Sequence, residues 1–218
     1  GRVTRHLQRR LLPGTRLIAS DVSESMLQQA KKQLHAATIQ WQFIDAQNIG
    51  LPENSIDLVV CAFGYMFVEN KEKAMAEAYR VLKPGGSLLF TTWSKLEENA
   101  ASHTSMLLAA EYLGIPIPAS SLVATSMHNE KELKMLLATA GFSAITTEKV
   151  QLFSVTSTAR EAAAGFVKGG TLYKEIAQRF PEQIPSITLA LENALAQKFG
   201  AAPMVAPISA IISRGWKK

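Results

Sequence analysis

The chain has 218 residues, 47% of them hydrophobic and 19% charged, which suits one large soluble domain, or a core domain with a smaller cap, able to bury a substantial core. No run approaches the roughly 18 apolar residues of a membrane span and no secretory leader pattern is visible, so no membrane span and a cytoplasmic location are expected. The net charge of +5 is accounted for by Arg2, Arg5, Arg9, Arg10 and Arg16, because the rest of the chain balances; so local an excess reads as one helix face, and no nucleic-acid partner is expected.

That helix is predicted over residues 2–12, with Val3, Leu7 and Leu11 opposite the arginines and Pro13 and Gly14 as its stop. "RLIAS" at 16–20 reads as a short buried strand ending at Asp21. A second helix follows with Ser23 as N-cap, Glu24 at the positive end of the dipole, Met26, Leu27, Ala30 and Leu34 as the apolar stripe, and Lys31, Lys32 and His35 near the negative end. "IQWQFI" at 39–44 alternates as a strand and again ends in an acid, Asp45. After the turn "LPENS", the continuous apolar run "IDLVVCAFG" predicts a strand covered on both faces.

Residues 70–83 predict a helix with Ala74, Ala78, Val81 and Leu82 inward, ended by Pro84, Gly85 and Gly86 before a strand at 87–93. Further along, a helix at 100–113, a loop "GIPIPASS", and a helix capped by Asn129 and closed by Gly141 are expected. A strand at roughly 144–155, two or three helices between 158 and 199, and a last strand at 204–213 complete the chain. Strands and helices alternate as in β-α crossovers, so the expected fold class is α/β with a doubly wound, mostly parallel sheet. Residues 1–93 are expected to form the core. Residues 94–128 and 157–203 are expected as cap segments, and 129–156 and 204–218 as the rest of the core sheet.

In doubly wound sheets, ligands sit at the carboxyl ends of the strands. Three successive strand ends here carry Asp21, then Asp45 and Ala46, then Cys61, Ala62, Phe63 and Gly64. A carboxylate at Asp21 accepts hydrogen bonds from both hydroxyls of a ribose, one at Asp45 accepts from an adenine amino group, and small apolar neighbours pack on a purine. A nucleoside site is the reading that uses all three ends. One cysteine, and histidines scattered at His6, His35, His103 and His128, give no zinc-type ligand set, and no structural metal is expected.

"ASDVSESMLQQAKK", "FIDAQNIGLPENSIDLVVCAFGYMFV" and "AMAEAYRVLKPGGSLLFTTW" together resemble the class I S-adenosylmethionine-dependent methyltransferases, in particular the subgroup similar to ubiquinone and menaquinone biosynthesis methyltransferases. The resemblance is close to about residue 93 and looser beyond. It implies a Rossmann-like sheet with an antiparallel last strand, S-adenosylmethionine as cofactor and S-adenosylhomocysteine as product. By the same resemblance Asp21 would hold the ribose hydroxyls, Val22 and Met26 would pack on the adenine, and Asp45 and Ala46 would read its edge. Ala62, Phe63 and Gly64 would line the methionine side. It also implies a central first strand and a glycine-rich loop on a segment ahead of this sequence, Gly1 being the loop's last glycine. KPGG would be a structural turn.

Methyl transfer needs alignment of donor and acceptor and exclusion of water, with a base only where the acceptor must lose a proton. Tyr65, His103 and His128 are the candidates for that base, none of them assigned as catalytic. The acceptor is expected to be a small hydrophobic molecule, and the oligomeric state stays open. The rival enzyme is a Rossmann-type NAD(P) oxidoreductase, for which Tyr79 and Lys83 offer a Tyr-x-x-x-Lys pair. A methyltransferase-like binding protein without activity is the other alternative. A nucleic-acid methyltransferase lacks its motif after "LVVCAFG", and no proline follows Cys61.

Overall fold

The computed structural model describes residues 1–34 and 38–218, so the expected role of His35 at the end of the second helix lies outside the described residues. The architecture is α/β with a mostly parallel sheet. Its elements are α1 (Arg2–Gln8), β1 (Leu17–Asp21), α2 (Glu24–Gln33), β2 (Ile39–Phe43), β3 (Ile56–Ala62), α3 (Lys71–Val81) and β4 (Leu82–Trp93). They continue as α4 (Ala100–Leu113), α5 (Glu130–Thr139), β5 (Ser143–Thr156), α6 (Ala159–Gly169), α7 (Thr171–Arg179), α8 (Ile184–Phe199) and β6 (Met204–Trp216).

Two compact units divide the chain. The first holds residues 1–90, 135–145 and 214–218, and the second holds 91–134 and 146–213. In the first, β1 and β2 pair in parallel with Leu17 opposite Ile39 and Asp21 opposite Phe43. Strands β3, β4, β6 and β5 form a second sheet in that order. Gly85 N–H donates to the Lys217 carbonyl and Lys217 N–H to that of Gly86, each at 2.9 Å, so two residues face one as in a β-bulge of an antiparallel pair.

Local chemistry explains the helix starts of this unit. Ser23 is extended and its Oγ accepts from Met26 N–H at 3.4 Å, and Asn70 Oδ1 accepts from Lys73 N–H at 2.9 Å. Helix α3 buries Ala74, Met75, Ala78 and Val81, and Tyr65 meets Phe90 edge-on at 5.4 Å.

Three expectations need correction here. Helix α1 stops at Gln8 and buries no residue; Val3 is exposed. Strand β3 is not covered on both faces: it is an edge strand, none of its residues is buried, and Leu58 is 44% exposed. The third concerns KPGG, expected as a turn before a strand at 87–93: α3 does stop ahead of Pro84, at Val81, but no separate turn follows. The chain leaves the helix at Leu82, already extended at ψ 139°, and Lys83-Pro84-Gly85-Gly86 belongs to β4. A residue before proline favours the extended region, which starts the strand early. Gly85 then takes φ +81°, and at Gly86 a Cβ would lie 2.9 Å from the Lys83 carbonyl and 3.0 Å from that of Asp57.

The second unit is mainly helical and has its own core. Ile187, Leu191 and Leu195 on α8 are fully buried with Ile176, Ala163 and Ala109. Thr158 caps α6 by accepting from Glu161 N–H, with the glutamate at the third helical position as in a capping box. Asn99 ties α4 to β6, since its side chain donates to the Ser209 carbonyl at 3.2 Å and accepts from Ser209 N–H at 3.1 Å. The 100–113 helix and the three helices between 158 and 199 lie where the periodicity puts them.

Candidate functional site

The residues picked out at three strand ends all lie in the first unit. Asp21 closes β1, and Ile44 N–H donates to its carbonyl at 3.3 Å, which carries the parallel ladder one step past β2 and brings Asp45 beside it. Asp21 Oδ1 accepts from Ser23 N–H at 2.9 Å, the turn that launches α2. A carboxylate has about four acceptor positions, so this bond leaves capacity for a ligand diol.

Next to it Val22 is 61% exposed and Met26 57% exposed. Met26 is therefore not part of the buried stripe of α2, which is carried by Leu27 and Ala30; it lies roughly 100° from Leu27 around the helix and leaves an apolar surface open. Gly1 sits at the start of α1 against α2. A Cβ there would come 2.9 Å from Leu34 Cδ1 and 3.1 Å from Ala30 Cβ, so glycine permits the close approach.

Asp45 is held by its own loop, since its Oδ1 accepts from Gln47 N–H at 2.8 Å. Gln47 Oε1 in turn accepts from Asn70 N–H at 2.9 Å, at the cap of α3. A few residues on, Glu77 Oε2 accepts from Ile49 N–H at 2.8 Å, while Arg80 Nη2 donates to the Ile49 carbonyl at 2.6 Å and Nη1 to that of Leu51 at 3.0 Å. Arg80 also forks onto Glu77 at 2.6 and 2.9 Å, and this hydrogen bond holds the Glu77 carboxyl below the usual range against its partial burial, helped by Ile49 N–H. The loop carrying Asp45 and Ala46 is thus fastened to α3 at both ends. Gln47, Glu77 and Arg80 were missed as positioning residues; the Glu-x-x-Arg spacing on a predicted helix was the available signal.

At the end of β3, Ala62 is exposed, Phe63 adopts φ +54° and Gly64 opens a 3-10 turn over Tyr65–Phe67. A left-handed phenylalanine is uncommon and is found where surrounding structure imposes the turn. A Cβ on Gly64 would lie 2.7 Å from Cys61 Sγ, so the turn closes directly over the sulfur. Burial pushes the Cys61 thiol up, the N–H groups of Gly64 and Tyr65 oppose this, and the negative charge of Asp21 adds to the rise. That last effect puts the end of β3 within electrostatic reach of Asp21.

The base candidates lie in different places in the chain. Tyr65 is buried, and desolvation drives its hydroxyl far above the usual tyrosine range, so it stays protonated. His103 and His128 belong to the second unit, where His128 Nδ1 lies 2.7 Å from the Thr125 carbonyl. The Tyr-x-x-x-Lys pair is not convergent: Tyr79 packs edge-on against Phe142 at 5.1 Å, and Lys83 Nζ is paired with the Asp57 carboxylate at 2.9 and 3.0 Å. Among the described residues no group of three or more His, Cys, Asp or Glu side chains converges as metal ligands.

Residues 1–90 match the family described as a methyltransferase domain. Over 159 residues the chain is 30% identical to the ubiquinone/menaquinone biosynthesis C-methyltransferase UbiE of Hydrogenovibrio crunogenus, a match covering 65% of this chain and 61% of that protein. The chain therefore spans about three-fifths of that relative's length. Among solved structures it superposes on the YcgJ protein of Bacillus subtilis with a TM-score of 0.60 at 15% identity, over 99% of this chain and 88% of that one. Another likeness is phosphoethanolamine N-methyltransferase 2 of Haemonchus contortus, solved with phosphomonomethylethanolamine and S-adenosylhomocysteine. There the TM-score is 0.56 and the identity 18%, over 98% of this chain and 45% of that one. These likenesses show that the chain shares the Rossmann-like fold of those structures.

Proposed function

We propose that the chain uses S-adenosylmethionine to methylate a small hydrophobic molecule by direct in-line displacement. The observation that carries this reading is the pairing of β1 with β2, which sets Asp21 and Asp45 at adjacent carboxyl ends next to the exposed side chains of Val22 and Met26. Two acceptors on neighbouring strand ends, with exposed apolar side chains following the first, match a nucleoside, which offers hydroxyls at one end, an amino group at the other and a flat ring between. When bound, S-adenosylmethionine supplies an electrophilic methyl group on a positively charged sulfur.

The chain's own residues bind and orient. Asp21 accepts from the ribose hydroxyls, with its carboxylate aimed by Ser23 N–H. Asp45, held through Gln47 and Asn70, accepts from the adenine amino group, and Ala46, Val22 and Met26 pack on the ring and exclude water. Ala62, Phe63 and Gly64 line the methionine side. Fixing the cofactor this way removes orientational freedom before reaction, where most of the catalytic gain of a simple displacement lies. No general base is assigned.

Segments 94–128 and 157–203 are proposed to carry acceptor recognition. A hydrophobic acceptor is supported by relatives named for quinone biosynthesis and by the exposed apolar side chains of Leu107, Tyr112 and Val123 in the first of those segments. Calorimetric titration with S-adenosylmethionine and S-adenosylhomocysteine, with Asp21→Ala as control, tests the cofactor reading. Binding that disappears in Asp21→Ala supports the nucleoside site. No binding of either compound, with NAD bound instead, overturns it, and cofactor binding without turnover on any quinol or phenol tried favours the non-catalytic alternative.

A further inference from the structure

We propose that the turn between α1 and β1, together with the arginines flanking it, is a docking patch for an anionic lipid surface. All of the chain's net charge resides in its first 20 residues, as Arg2, Arg5, Arg9, Arg10 and Arg16 with no acid among them. Arg2, Arg9, Arg10 and Arg16 are exposed, and none of the five takes part in an ion pair among the described residues. Among the described residues their one side-chain bond goes to an uncharged acceptor: Arg16 Nε donates to Gln40 Oε1 at 2.9 Å. Their charge is therefore not cancelled locally.

Between Arg10 and Arg16 in the chain stands Leu12, 79% exposed. It is presented by a tight turn, with Thr15 N–H donating to the Leu12 carbonyl at 3.1 Å across Pro13 and Gly14, the glycine at φ +84°. Proline followed by a positive-φ glycine is the pattern of a type II turn, which holds its first residue in place without cost to any buried contact. The start of the segment, Gly1, lies against Ala30 of α2 and Leu34 just past its end. An exposed aliphatic residue on a tight turn, with exposed arginines on both sides of it in the chain, matches a membrane interface, where leucine enters the headgroup and acyl boundary and arginine meets lipid phosphate.

Nucleic acid is the other polyanion such charge attracts, but it has no use for Leu12. Residues 1–34 also contain no Phe, Tyr or Trp on which a base would stack. The lipid surface is the occupant that uses both the charge and the apolar tip. The proposal stands independently of the methyl-transfer reading.

The test is co-sedimentation of the chain with vesicles of phosphatidylcholine alone and with about one-third phosphatidylglycerol, at low and high salt. Partition onto the anionic vesicles only, weakened by salt, is expected. Arg9→Gln with Arg10→Gln should lower it about thirtyfold, and Leu12→Ser about tenfold. Arg9→Lys with Arg10→Lys keeps the charge and should keep binding, which separates loss of charge from loss of fold. Equal partition onto both vesicle types, none onto either, or a Leu12→Ser variant that binds as well as the parent would overturn the proposal. So would binding to a duplex oligonucleotide without binding to vesicles.

Discussion

Asp21 at the end of β1 and Cys61 near the end of β3 are electrostatically coupled: burial raises the Cys61 thiol first, and the negative charge of Asp21 raises it further against the pull of the Gly64 and Tyr65 N–H groups. The thiolate is the nucleophile, so Cys61 is expected to alkylate at about pH 8 more slowly than a free thiol. Asp21→Asn removes the charge, lowers the thiol and should speed alkylation by less than about threefold. Iodoacetamide labelling followed by mass spectrometry reads the rate, and an unchanged rate in Asp21→Asn would put the two strand ends out of reach of each other.

The Glu77 and Arg80 fork makes a prediction about acid stability. Arg80→Ala removes bonds to two carbonyls and to Glu77, and is expected to cost about 2 kcal/mol at neutral pH. Because the Glu77 carboxyl is lowered in the folded state, its contribution is full above the unfolded glutamate value of about 4.3 and is lost as pH falls toward and through the lowered one. Glu77→Gln should therefore destabilise at pH 7 and show a flatter acid limb, as measured by urea unfolding across that range. Both variants should also weaken S-adenosylhomocysteine binding, since the loop they fasten carries Asp45.

Gly64 and Cys61 form a pair whose coupling has a predictable sign. A methyl group at residue 64 would sit 2.7 Å from the Cys61 sulfur, while the backbone at Gly64, with φ −108°, is open to any residue. Gly64→Ala alone is expected to cost on the order of 1–3 kcal/mol, the usual range for overpacking. With Cys61→Ala the obstructing atom is gone, and the double variant should recover at least about 1 kcal/mol relative to additivity. Denaturant midpoints of the four proteins measure the cycle. Additive effects would mean that backbone, not the sulfur, blocks the site.

Much of this was legible in the sequence because it follows from local rules. Ser23, Asn129 and Gly141 announced helix ends through caps and a positive φ, and the acids closing two β-patterned runs marked strand ends. What the pattern could not deliver depended on neighbours distant in sequence. The apolar run of β3 read as doubly covered, yet its edge position leaves Leu58 exposed. KPGG read as a turn, yet Gly85 and Gly86 bond to Lys217, more than a hundred residues away, and draw the segment into β4. The arrangement of Gln47, Glu77 and Arg80 around the Asp45 loop likewise needs the loop folded back onto α3 before it has meaning.

Lys217 is the clearest case of a long-range residue that the sequence leaves silent. Its Nζ donates to Asn54 Oδ1 and to the Tyr79 carbonyl at 2.9 Å each and to the Arg80 carbonyl at 3.3 Å, and lies 4.7 Å from the Tyr79 ring centroid. Those carbonyls belong to the last turn of α3, where unsatisfied acceptors and the negative end of the helix dipole favour a cation. The lysine is only 9% exposed, so Lys217→Met would leave the acceptors facing a hydrocarbon chain. A loss of about 2–3 kcal/mol is expected from removing a charged donor with several buried partners. Lys217→Arg keeps the charge but replaces a compact ammonium with a planar fork, and should recover only part of it. Thermal and urea unfolding of the two variants check this; a Lys217→Met protein as stable as the parent would mean that the end of α3 needs no cation.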